Sequence, residues 1–103
     1  MPSRVKRTGR AAGEIFPLST AGAGDFGVIV RVGGETDPGA VARTELERRL
    51  LEMGFVEGAR IRVLHEGFIG RDPIAVQLDD MRVALRRREA ADVMVQSLDH
   101  AND

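Results

Sequence analysis

The chain has 103 residues, enough for one hydrophobic core and one domain. Its 15 basic and 16 acidic residues leave a formal net charge of -1, so the molecule as a whole carries no footprint for a polyanion. Cysteine is absent, which excludes a disulfide framework, a thiolate metal site and a thiol nucleophile.

The first residues, "MPSRVKRTGR", hold Arg4, Lys6, Arg7 and Arg10 and no acid, followed by Ala11, Ala12 and Gly13. Residues 1–14 therefore read as a flexible basic arm. No apolar region of about 7–15 residues follows it, as a secretory leader would need. The longest apolar runs, such as "VIV", fall far short of the roughly 20 residues of a membrane span. A cytoplasmic protein without membrane insertion is expected.

After the turn-rich "PLSTAGAGD", "FGVIVRV" (26–32) predicts a half-buried strand with Phe26, Val28 and Val32 on one face, against Gly27 and Arg31. "GGETDPGA" is a loop. From Val41 the period changes, because Ala42, Leu46, Leu50 and Met53 line one face of a helix. Thr44 and Glu47 have capping-box spacing, and Asp37-Pro38 offers a second start. Glu45 and Arg49 stand four apart with the acid first, a favourable pair.

The helix end is sharper. With Gly54 as the left-handed residue after the last turn, Phe55 and Leu50 are the two positions whose side chains meet in a Schellman motif. Gly58 then belongs to the turn that starts the next strand. In "ARIRVLHEGF", Ile61, Val63 and His65 alternate with Arg60, Arg62 and Leu64. "GFIGRDP" reads as a loop. "IAVQLDDMRVALR" reads as a hairpin about Asp79-Asp80, "RREAAD" as one short helical turn and "VMVQS" as a last strand. "LDHAND" (98–103) is a polar tail. The order predicts a mainly β fold with one inserted helix, a small barrel of about five strands.

Catalytic chemistry finds little support. His100 lies in the tail, and His65 and Glu66 are strand neighbours whose side chains point to opposite faces. Asp79-Asp80 could be half of a hard-cation site, but Asp is also a favoured turn residue, and that reading is the simpler one. "AGAGD" lacks the following Lys of a phosphate loop. Arg86-Arg87-Arg88 and the arm could serve nucleic acid. Stacking aromatics are scarce, however: there are four Phe and no Tyr or Trp, and Phe16, Phe26, Phe55 and Phe68 are wanted for packing. The same scarcity removes a polyproline groove with aromatic walls.

The order of motifs carries more than any one of them. "RRLLEMGFVEGARIRV", a Gly-containing loop, then "IAVQLDDMRVALRRREAADVMV" resembles the FeoA family of bacterial ferrous iron uptake. Arg49, Leu50, Met53, Gly54, Gly58, Val63, Val76, Ala84, Leu85, Arg86, Ala90, Val93 and Val95 fall on its pattern, while Glu57 stands where the family often has Pro. The resemblance covers residues 15–97 and implies an SH3-like β-barrel with an inserted helix.

By the same resemblance the chain is a non-enzymatic accessory protein. Its partner would be the GTPase-linked membrane permease for ferrous iron, contacted at the inner face of the plasma membrane. Arg48, Arg49 and Glu52 on the helix, with Phe68 and Ile69 in the loop, are the expected contacts; ordinary surface or core filling is the alternative for each. Gly54 and Gly58 are structural turns. No cofactor is expected, weak divalent-metal binding and a homo-oligomer stay open, and nucleic acid is disfavoured. Two rival readings remain: a metal-responsive module like the C-terminal domain of iron-dependent repressors, and a small nucleic-acid-binding barrel.

Overall fold

The computed structural model describes residues 10–33 and 40–98. The basic stretch 1–9, the Asp37-Pro38 helix start, the side chain of Ala42 and the tail with His100 lie outside the described residues. Six strands form one antiparallel sheet: β1 (Ile15–Pro17), β2 (Phe26–Val32), β3 (Arg60–Ile69), β4 (Asp72–Leu78), β5 (Met81–Leu85) and β6 (Val93–Ser97). Their lateral order is β1-β6-β2-β3-β4-β5. Helix α1 (Ala40–Met53) is inserted between β2 and β3. Short 3-10 helices follow β1 (Leu18–Thr20) and β5 (Arg87–Asp92), and they pack against each other, bridging the two edges of the curled sheet. This is the SH3-like barrel with an inserted helix that the motif order predicts, with one strand more than the expected five.

The extra strand, β1, pairs with β6 through Phe16 and Val95. It also fixes the end of the basic arm, whose boundary had been expected at residue 14. The Gly13 N–H donates to Ser97 O (2.7 Å) and the Ser97 N–H to Glu14 O (2.8 Å). Arg10 Nε donates to buried Asp25 (3.2 Å), Nη2 to Thr20 O (2.9 Å), and its guanidinium lies 3.8 Å from the Phe16 ring centroid. Residues 10–14 are thus part of the folded domain.

The observed strand faces differ from the expected ones at two places. On β2, Gly27 and Ile29 point inward rather than Phe26 and Val28. A register shift between Ile29 and Arg31 then brings Val32 back towards the core. Gly27 is required there: a Cβ would meet Val95 Cγ1 at 2.6 Å and overlap the backbone of Gln96. On β3 the shift between Val63 and His65 turns His65 outward, opposite Ala75, so it does not share the buried face of Ile61 and Val63.

The core joins Leu50 and Phe55 with Ile61, Val63, Ile74, Val76, Leu78, Val93 and Val95. Leu46 and Met53 pack on it from α1. The helix end is the expected Schellman motif: the Phe55 N–H donates to Leu50 O and the Gly54 N–H to Leu51 O, both at 3.0 Å, with Gly54 at φ 109°. Gly58, at φ 92°, donates its N–H to Ile29 O and leads into β3. Thr44 is not a cap, because α1 begins at Ala40 and runs through it. Glu45 pairs with Arg48 (2.8 Å) rather than with Arg49, which approaches Glu89 at 3.9 Å.

Candidate functional site

The expected loop "GFIGRDP" is instead the far end of a long hairpin. β3 continues to Ile69 and β4 starts at Asp72, leaving Gly70 and Arg71 as the turn. Gly67 and Gly70 are the residues that make this stretch read as loop. Gly67 sits in the irregular pairing between Glu66 and Ile69, where a Cβ would overlap the Asp72 carbonyl.

Arg87 ties the base of this hairpin to the rest of the barrel. Its Nη1 donates to Ser19 O (3.0 Å) and Ala21 O (2.7 Å), its Nε to Arg71 O (2.8 Å) and its Nη2 to Glu66 Oε1 (2.9 Å). The Arg87 N–H donates to Asp72 Oδ1 (2.8 Å). Glu66 also accepts from the Ala23 N–H (3.0 Å) and pairs with Arg71 (3.3 Å). One planar guanidinium, with its side chain 18% exposed, thereby spans the first 3-10 helix, β3 and the hairpin turn. Arg87 is thereby withdrawn from the basic triplet Arg86-Arg87-Arg88 that the sequence suggests. The signal the sequence lacks is a pairing between residues 66 and 87.

Beyond this base the tip is bare. Phe68 is 103% exposed and Ile69 84% exposed, so Phe68 is not the packing residue it was expected to be. Both side chains are free to meet a partner. Arg48, Arg49 and Glu52 are exposed on α1. Of these, only Arg49 reaches towards the second 3-10 helix, at 3.9 Å from Glu89, whereas Arg48 pairs with Glu45 on α1 itself. The fold therefore presents two separate candidate contacts, a charged helix face and an apolar tip.

The other candidates resolve by geometry. Asp79, at φ 53°, serves the β4–β5 turn: its Oδ1 accepts the Arg60 N–H (3.0 Å) and its own N–H donates to Arg60 O (2.9 Å). His65 and Glu66 take successive register positions, opposite Ala75 and Ile74, and so face opposite sides. Of the Arg86–Arg88 triplet, only Arg86 and Arg88 are exposed. Among the described residues no group of three or more His, Asp or Glu side chains could hold a metal ion. Among them, too, no helix is long and apolar enough to cross a membrane.

Known proteins resemble this arrangement. A Porphyromonas gingivalis protein, a fusion of Fe(2+) transport protein A with the Fe(2+) transporter FeoB, is 40% identical over 79 residues. The match takes in 77% of this chain and spans 8% of that relative's length. The crystal structure of Stenotrophomonas maltophilia FeoA complexed with zinc, described as a prokaryotic SH3 domain protein, is 34% identical with a TM-score of 0.61. It covers 84% of this chain and 92% of its own. A manganese-dependent transcriptional repressor shares the fold at 24% identity and a TM-score of 0.67, over 85% of this chain and 44% of that one. The FeoA domain family matches residues 16–97, from β1 through β6, and the chain belongs to that family.

Proposed function

We propose that the protein is a non-enzymatic accessory and regulatory protein of ferrous iron transport, acting by contact with the cytosolic, GTPase-linked part of the membrane permease. The observation that carries this reading is the fusion relative, in which a matching module and the FeoB transporter share one polypeptide. The module then acts from the cytoplasm, at the inner face of the membrane, with the ferrous ion as its partner's cargo. Binding shifts the permease between conformations by the difference in affinity for them. The apolar tip, Phe68 and Ile69, and the helix residues Arg48, Arg49 and Glu52 are the proposed contacts. The hairpin that carries them is already braced at its base, so docking there has chiefly side-chain freedom to order.

Co-purification with the permease tests the reading and separates the two contacts. The tip is the docking element if Phe68→Ser with Ile69→Ser abolishes capture. The helix is excluded if reversing Arg48, Arg49 and Glu52 leaves capture unchanged.

A second reading, metal response, rests on the zinc complex of the Stenotrophomonas relative. It expects heat on titration of the free protein with ferrous or manganous ion. A flat calorimetric trace at millimolar metal removes it.

A further inference from the structure

The outer face of the sheet carries a feature that neither the core nor the docking contacts use. Cross-strand register aligns Phe26 on β2, Arg62 on β3, Gln77 on β4 and Arg82 on β5 in one row. Arg60 lies on the same face of β3, two residues before Arg62. The strands place no carboxylate in this row. Asp79 and Asp80 lie in the turn at its end, and Asp79 Oδ1 is already engaged by the Arg60 N–H. Among the described residues no ion pair neutralises Arg60, Arg62 or Arg82. The inner face by contrast carries Ile61, Val63, Val76 and Leu78, all buried.

Two of these side chains are held in place before anything binds. The Arg62 guanidinium lies 4.3 Å from the Phe26 ring centroid, which fixes its plane and leaves its N–H groups without a carboxylate. Gln77 donates from Nε2 to Asp79 O (3.2 Å), which orients its side-chain oxygen as an acceptor. The row thus reads, across three strands, as cation, acceptor, cation.

We infer that this row is a docking surface for an acidic helix of a partner protein, with carboxylates over Arg62 and Arg82 and a hydrogen-bond donor over Gln77. The spacing matches. Two strand steps separate the backbone positions of Arg62 and Arg82 by about 9.6 Å, and helical positions i and i+7 are about 10.5 Å apart on one face. Position i+4 falls between them. A nucleic acid fits less well, because the row's one aromatic ring is covered by Arg62 and offers no stacking platform. A bilayer fits less well too, because the row has no exposed apolar wedge to insert. None of these residues belongs to the helix face or the hairpin tip, so this surface and the docking proposed above stand or fall separately.

The test is fluorescence anisotropy with the whole protein at low salt. The probe is a fluorescein-labelled Ala-rich helical peptide carrying Glu at i, Gln at i+4 and Glu at i+7. A peptide of the same composition with the second Glu moved to i+5, an oligothymidine and a phosphatidylserine vesicle serve as rivals. We expect saturable binding of the first peptide that weakens with salt, and at least about tenfold with either Arg82→Glu or Arg62→Gln. Phe68→Ser with Ile69→Ser leaves it unchanged. Arg82 is exposed, so its variant keeps the fold even if loss of the Arg62 stack disturbs β2. The inference is overturned if the i+5 peptide binds as well, if the oligonucleotide or vesicle binds more tightly, or if the Arg82 variant binds undiminished.

Discussion

The two halves of β3 have opposite surroundings. Its first half, from Arg60 to Val63, alternates between a face buried in the core, with Ile61 and Val63, and a basic outer face. Its second half leaves the core, passes Glu66 and ends in Phe68 and Ile69 with nothing over them. Only the first half is held by apolar burial. The second is held by polar chemistry at its base, since Arg87 and Glu66 replace the missing core. A strand can therefore be carried past the barrel wall if a single fork of hydrogen bonds fastens the point where it departs.

That contrast can be broken from the core side first. Phe55→Ala should cost about 3–5 kcal/mol by urea unfolding, because Phe55 is 0% exposed within the core and closes the helix end. Arg87→Ala should come next, at about 2–3 kcal/mol. It leaves the carbonyls of Ser19, Ala21 and Arg71 without the guanidinium and the Glu66 carboxylate with only the Ala23 N–H and the exposed Arg71. It should also raise amide hydrogen exchange across the hairpin end before global unfolding does. Equal acceleration everywhere would mean that the base is not a separate fastening. Arg87→Lys keeps the charge but not the fork and should recover only part of the loss.

Gly54→Ala should cost about 1–2 kcal/mol, from a positive φ that disfavours any Cβ and from contact with Leu78 Cδ2 at 3.2 Å. Smallest in stability is Phe68→Ser with Ile69→Ser, expected within about 0.5 kcal/mol of the parent. Its effect should lie in partner capture. A large stability loss there would show that the tip is packed in solution and would erase the contrast.

Legibility followed the same division. The β4–β5 hairpin, β6 and the helix end could be read because each is specified by neighbours in sequence: alternating Ile74, Val76 and Leu78, the Asp79 turn, Gly54 before Phe55. β1 could not, because Ile15–Pro17 is three residues long and ends in proline, and only its partner β6 makes it a strand. The face of β2 was misread because Gly27 is buried for the space it leaves to Gln96, which no hydropathy pattern records. Arg87 was hidden because its acceptors lie 15 to 68 residues away. Phe68 and Ile69 sit between glycines that suggest a loop, and only the structure turns that loop into a projecting strand.

The pairing of β1 with β6 has a consequence for how the domain can be joined to others. Gly13 and Ser97 are hydrogen-bonded neighbours, so the path of the chain into the barrel and the path out of it run side by side. A longer polypeptide can hold the barrel from either end in nearly the same orientation, as a pendant on one point rather than a link between two. A short linker between the two segments, with the chain reopened at Asp79-Asp80, should give a permuted barrel with an unchanged core.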